Sequence, residues 1–259
     1  MRLMTAFRSI GAVALAMLLA ACTAVEAAAQ SRTARTVRFD SPALGAQAIV
    51  AVLLPPGYDA SDKRYPVLYL LHGGTQNHTA FPARAWFSRE ASRHEMIVVM
   101  PHLPPVYLSS RGGAAPAFEM FLASDLTGYV DANYRTIASP RGRGVAGISI
   151  GGFAAAVVGL KHADTFGSVG AISAAFTGTG REGQLEALVA AMPAASAPYV
   201  YIACGAQDSL LPASRRFAEL LAARAIAHQY VEVPGTHSWA VWDPQVQAFF
   251  DIFAARRQP

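Results

Sequence analysis

From residue 37 onward, apolar runs of strand length alternate with segments of helical period, and this alternation leaves few architectures open. Residues 37–39, 48–54, 67–71, 97–100, 144–148, 169–173, 199–204 and 229–233 read as strands. Helices are expected over 83–93, 118–133, 153–162, 185–192, 213–225 and 244–255. A strand followed by a helix and then another strand returns in parallel, so the pattern predicts an α/β fold: a mostly parallel sheet with helices on both faces, opened by two strands for which antiparallel pairing is open. No repeat and no linker-like change of composition interrupts the chain after residue 36, so residues 36–259 read as one domain. Apolar residues make up 53% of the sequence and charged ones 15%, which supplies a large core and excludes wholesale disorder.

The first 30 residues differ in character. Arg2 and Arg8 give a basic start, residues 10–21 are uncharged and apolar, and small residues follow, which is the three-part pattern of an export signal. The apolar run is short for a bilayer span, which takes about 20 residues. Residues 1–29 therefore read as an export segment and tether, and the protein is expected in a bacterial envelope, lipid-anchored or periplasmic or secreted. Leu19-Ala20-Ala21-Cys22 resembles a lipobox, with Cys22 as the lipidation site and membrane tether, while Ala27-Ala28-Ala29 before Gln30 fits an ordinary signal peptidase. Loss of Arg2 and Arg8 leaves 19 basic against 17 acidic residues, a net +2; cutting after Ala29 also removes Glu26 and leaves +3. Electrostatic steering is weak in both cases. The Lys and Arg residues form no run that would track phosphates, so nucleic acid is not an expected partner. Cys204 is the remaining cysteine, so no internal disulfide is expected.

In an open parallel sheet, chemistry collects at the carboxyl ends of the strands. After the strand ending at Ile148 comes Gly147-Ile148-Ser149-Ile150-Gly151-Gly152 and then an Ala-rich helix, a nucleophile elbow in strand, turn, helix context. The glycines let strand and helix approach while Ser149 stays at the tip. A serine hydroxyl is a weak nucleophile that needs a base, and the base needs an orienting acid. His237, just past the last strand, suits the base, and Asp208, 59 residues after Ser149 and 29 before His237, gives the chain order serine, acid, histidine. Asp243 is expected to cap a helix, and Asp125 and Glu119 to be solvated surface charges. The oxyanion that forms on acyl transfer needs two donors. The amide of Ile150, next after the nucleophile, supplies one, and the loop Leu71-His72-Gly73-Gly74-Thr75 the other, with Gly74 first and Gly73 second. His72 suits that loop better than the role of base. No spacing among the seven histidines resembles a zinc motif, so neither metal nor cofactor is expected. Residues 101–116 form the longest expected loop, and Trp86, Tyr107, Trp239 and Trp242 are candidates to line an aromatic or acyl pocket.

Four segments together, Leu70-Leu71-His72-Gly73-Gly74, Gly147 to Phe153, Cys204-Gly205-Ala206-Gln207-Asp208 and Pro234-Gly235-Thr236-His237-Ser238-Trp239, resemble the esterase family of α/β-hydrolases that includes S-formylglutathione hydrolase, feruloyl esterases, enterochelin esterase-like proteins and mycolyltransferases. The resemblance runs from about Thr36 to Phe253. It implies the α/β-hydrolase fold, Ser149 as nucleophile, Asp208 as acid, His237 as base, Gly74 and Ile150 as oxyanion amides, and a small-molecule ester as substrate. Ile150 departs from the methionine usual in the family, which alters the acyl pocket and leaves the amide in place. Two further readings share the fold: acyl transfer to a sugar or lipid acceptor by the same triad, and a non-catalytic envelope binding protein, against which an intact triad argues.

Overall fold

The computed structural model describes residues 33–103, 115–176 and 182–257. Eight strands build one sheet: β1 Arg35–Ser41, β2 Ala46–Leu53, β3 Val67–Leu71, β4 Ile97–Pro101, β5 Arg143–Ile148, β6 Ser168–Ile172, β7 Tyr199–Gly205 and β8 His228–Val233. Their order across the sheet is β1-β2-β4-β3-β5-β6-β7-β8. β2 pairs antiparallel with both β1 and β4, and every later pairing is parallel. The register sets Leu71 beside Gly147, Ile148 beside Ile172 and Gly205 beside Val233, so the carboxyl ends of β3, β5, β7 and β8 open on one edge. This sheet, with helices on both faces, is the mostly parallel α/β architecture that the sequence predicts.

Side-chain alternation along the strands divides the core in two. Val67, Tyr69 and Leu71 of β3 point to one face, Leu68 and Leu70 to the other. The first face is covered by α2 (Ala115–Met120), α3 (Thr127–Asn133), α4 (Ile150–Lys161), α5 (Glu182–Ala191) and α6 (Leu211–Ala223). The second is covered by α1 (Phe87–Arg93) and α7 (Trp239–Arg256), whose Phe249, Phe250 and Phe253 are fully buried. Each such burial is worth roughly 1.5–3 kcal/mol. α4 is apolar on all sides because from Gly151 to Leu160 every residue is buried. Among the described residues no helix is long and apolar enough to cross a membrane.

The structure departs from the sequence reading at particular elements. β1 begins at Arg35 and runs to Ser41, beyond the apolar run, because it is held by backbone pairing to β2 across a tight turn at Gly45 rather than by apolar content. The expected helix over 118–133 contains a π-helical segment, Phe121–Leu126, between α2 and α3. α7 starts at Trp239, five residues before Pro244, which therefore lies inside the helix instead of opening it. The burial of Val241 and Trp242 against the second core fixes that earlier start.

Candidate active site

The elbow follows from close packing at its glycines. A Cβ on Gly151 would lie 2.3 Å from the His72 carbonyl oxygen, so only glycine lets α4 begin directly against the end of β3. Ser149 is forced to φ 55°, ψ −123°, and is held there by three backbone bonds: its N–H donates to Ile172 O at 2.9 Å, and its carbonyl accepts from Phe153 N at 3.1 Å and Ala175 N at 3.0 Å. A strained, half-buried serine at the head of a helix is thereby presented at the carboxyl edge.

The loops after β7 and β8 are locked to one another. Gly205 permits this, because a Cβ there would meet Gly235 O at 2.3 Å. Gln207 donates its N–H to Gly235 O at 2.9 Å and accepts the Gly235 N–H on Oε1 at 2.6 Å. The result brings Asp208 and His237 together: His237 Nδ1 lies 2.7 Å from Asp208 Oδ2, and His237 Nε2 lies 2.9 Å from Ser149 Oγ. A carboxylate only accepts, so Nδ1 carries the proton and Nε2 is left to accept from the Ser149 hydroxyl. The Asp208 side chain is fully buried, and its Oδ1 accepts from Leu210 N at 3.0 Å, so the acid also closes the turn before α6. Trp242 meets the His237 ring in a T-shaped contact with centroids 4.9 Å apart.

On the other side of Ser149 lies the loop after β3. Gly73 N–H donates to Gln76 Oε1 at 3.0 Å, and Gly73 O lies 2.7 Å from His72 Nδ1. Both polar groups of Gly73 are thus engaged, whereas the N–H of Gly74 has no acceptor among the described residues. Of the two glycines, Gly74 is the one with a donor to offer. The position is close to the elbow, since a Cβ on Gly74 would lie 3.8 Å from Ile150 Cγ2 and one on Gly73 3.5 Å from Ser149 Cβ. Burial pushes the His72 imidazole down to about 4, so the ring is neutral.

Other residues take places the sequence did not reveal. Asp243 is no helix cap: it forms a two-point ion pair with Arg84, whose guanidinium lies over the Trp239 ring at 4.6 Å. Asp125 accepts from Ser41 Oγ and Ala43 N, and Glu119 pairs with Lys161 and His162, so both tie elements together rather than facing water alone. Trp86 is buried in the second core against Phe87 and Phe250, while Trp239 stays half-buried against Phe81 and Trp242. Gln76 and Gln207 were unmarked in the sequence; their only signal is a position within three residues of a structural glycine. Tyr107, Cys22 and the whole of residues 1–29 lie outside the described residues. Among the described residues no group of three or more His, Cys, Asp or Glu is placed to hold a metal ion.

Comparison with known proteins gives this arrangement a setting. A family model described as "Putative esterase" matches residues 41–251. Esterase Rv1288 of Mycobacterium tuberculosis is 38% identical over 140 residues, which cover 51% of this chain and 30% of that protein. The chain therefore spans under a third of the length of that relative. A solved ferulic acid esterase superposes with a TM-score of 0.76 at 23% identity, over 85% of this chain and 97% of its own. S-formylglutathione hydrolase (FrmB) from Staphylococcus aureus does so with a TM-score of 0.73 at 21% identity, over 85% and 98%. At such identities the superpositions establish the shared fold.

Proposed function

The chain belongs to the putative esterase family, and on that premise we propose that it is a serine hydrolase that cleaves carboxylic esters of small molecules through an acyl-enzyme. The observation that carries this reading is the continuous hydrogen-bonded line from Ser149 through His237 to Asp208, at 2.9 and 2.7 Å. Ser149 Oγ attacks the ester carbonyl as His237 Nε2 takes its proton; the carbonyl electron pair moves onto oxygen, where the Gly74 and Ile150 amides receive it. Collapse expels the alcohol, protonated by His237, and leaves Ser149 acylated. Water, deprotonated by the same imidazole, then releases the acid. Asp208 holds the imidazole and its cationic form in place. Every proton and electron pair is accounted for by these groups and water, so the reaction calls for no cofactor. The names of the relatives, feruloyl esterase and S-formylglutathione hydrolase among them, support a small ester or thioester substrate. We place the protein outside the cytoplasm on the strength of residues 1–29.

Hydrolysis of p-nitrophenyl acetate and labelling by a fluorophosphonate test the reading, with Ser149→Ala as the partner variant. Wild type should turn over and label, and the variant should do neither while its thermal unfolding changes little, since the change removes one hydroxyl and keeps the three backbone bonds that hold residue 149. A wild-type protein that neither labels nor turns over any of a panel of short, aryl and thio esters is a binding protein. Undiminished turnover by Ser149→Ala removes Ser149 as nucleophile.

A further inference from the structure

We propose that His72 and Gln76 are positioning residues that fix the Gly73–Gly74 peptide with its N–H turned away from His72 and toward the oxyanion, an inference that rests on the ester-hydrolase reading above. One peptide plane links the two glycines. In a trans peptide the carbonyl of one residue and the N–H of the next point in opposite directions, and the described residues contain no cis bond. Whatever holds the Gly73 carbonyl therefore aims the Gly74 N–H.

His72 holds it. Its Nε2 lies 2.9 Å from the N–H of Leu103, and an N–H can only donate, so Nε2 is the acceptor and the ring proton sits on Nδ1. That proton is given to Gly73 O at 2.7 Å. The ring is 2% exposed and has no freedom to choose another partner. Gln76 fixes the rest of the loop: its side-chain Oε1 accepts from Gly73 N at 3.0 Å, and its backbone N–H donates to Gly74 O at 2.9 Å and, at the longer distance of 3.4 Å, to Gly73 O, where the 2.7 Å bond from His72 is the shorter hold. Three of the four polar groups of the two glycines are thus held, and the one left over is the Gly74 N–H. Two adjacent glycines gain no stiffness from their own side chains, so without these clamps the donor would swing. Losing one oxyanion donor costs about 100- to 1,000-fold in rate, and misaiming it costs a large part of that.

Side-chain geometry supplies variants that separate the bonds. In His72→Asn the amide nitrogen falls where Nδ1 was and keeps the bond to Gly73 O. In His72→Gln the terminal amide falls where Nε2 was and keeps only the Leu103 contact. Gln76→Glu retains an acceptor for Gly73 N–H, and Gln76→Met does not. For each, kcat/KM on p-nitrophenyl acetate would be compared with Ki for a trifluoromethyl ketone, which adds to Ser149 and forms an oxyanion without a leaving group. The expected result is a loss of about 10- to 100-fold in kcat/KM for His72→Gln and Gln76→Met, matched by a rise in Ki, with His72→Asn and Gln76→Glu within about threefold of wild type. A merely structural role would lower the active fraction and leave Ki unmoved. The proposal is overturned if Ki stays constant across the variants, if His72→Asn is damaged as badly as His72→Gln while Gln76→Met is unaffected, or if His72→Gln and Gln76→Met both run at the wild-type rate. A wild-type enzyme that neither turns over ester nor binds the ketone instead removes the hydrolase reading itself.

Discussion

A neutral imidazole buried in the loop beside Ser149 makes the fold sensitive to acid. His72 titrates near 6.5 in an unfolded chain and is held down at about 4 in the fold, chiefly by burial, with the neighbouring His102 and His78 adding to the effect and the Gly73 carbonyl opposing it. Between those values the unfolded chain binds the extra proton, so stability is fully present above about pH 6.5 and falls as the pH drops toward 4, by no more than roughly 3–4 kcal/mol from this one residue. Urea unfolding at pH 7, 5.5 and 4.5 should show the decline in wild type and a shallower one in His72→Asn; equal slopes would mean that His72 does not carry the effect. At this scale the sequence was most readable where chemistry restricts residue type. Ser149, His237 and Asp208 were singled out because nucleophile, base and acid each admit few side chains and must follow a chain order, and the structure brings the three into one hydrogen-bonded line. Gln76 and Gln207 carry no such mark, because a glutamine in a polar loop looks the same whether or not its amide locks a neighbouring backbone.

Elements were legible in proportion to their apolar content. β3, β5 and α4 are nearly wholly buried and stand out as apolar runs, whereas β1, with alternating exposed and half-buried residues, is defined by the strand it pairs with. The π-helical segment between α2 and α3 leaves no mark in hydrophobic period, because a single widened turn shifts the pattern by one residue only. The least legible feature was the approach of the β7 and β8 loops, which depends on an absent side chain at Gly205. Gly205→Ala would place a methyl 2.3 Å from Gly235 O and 2.9 Å from Gly235 C, both backbone atoms that cannot swing aside. The two loops must part, and overpacking of this kind costs about 1–3 kcal/mol. The expected outcome is a melting temperature lowered by about 3–10 °C and, in protein still folded at 20 °C, a larger fall in kcat than a remote substitution of equal thermal cost produces. Activity loss no greater than that of such a control would show that the loop contact does not position the acid and base.

At the scale of the molecule, alternation of strands and helices foretold a mostly parallel sheet but not its order, because placing β4 between β2 and β3 is decided by long-range pairing that no local period encodes. That order brings the carboxyl ends of β3 and β5, and beyond β6 those of β7 and β8, to one edge, where the loops that carry Gly74, Ser149, Asp208 and His237 meet. The position of the protein in the cell is a separate matter that rests on residues 1–29. We propose that Cys22 is acylated after cleavage at Leu19-Ala20-Ala21-Cys22, which ends the apolar run where a lipoprotein peptidase would act. A single acyl chain binds membranes only marginally, but several chains on one cysteine anchor stably. Residues 23–35, rich in Ala, Thr, Ser and Arg, then connect the anchor to β1. Expression of the full chain in a bacterial host, followed by membrane fractionation and mass spectrometry of the N-terminus, decides between the two processing sites. A diacylglyceryl mass on Cys22 that disappears in Cys22→Ala, together with release of ester hydrolase activity into the soluble fraction, is the expected result. An unmodified N-terminus at Gln30 would instead establish cleavage after Ala29 and an enzyme free of the bilayer, with the same active site and a different reach: any diffusing ester rather than those within a tether's length of the membrane.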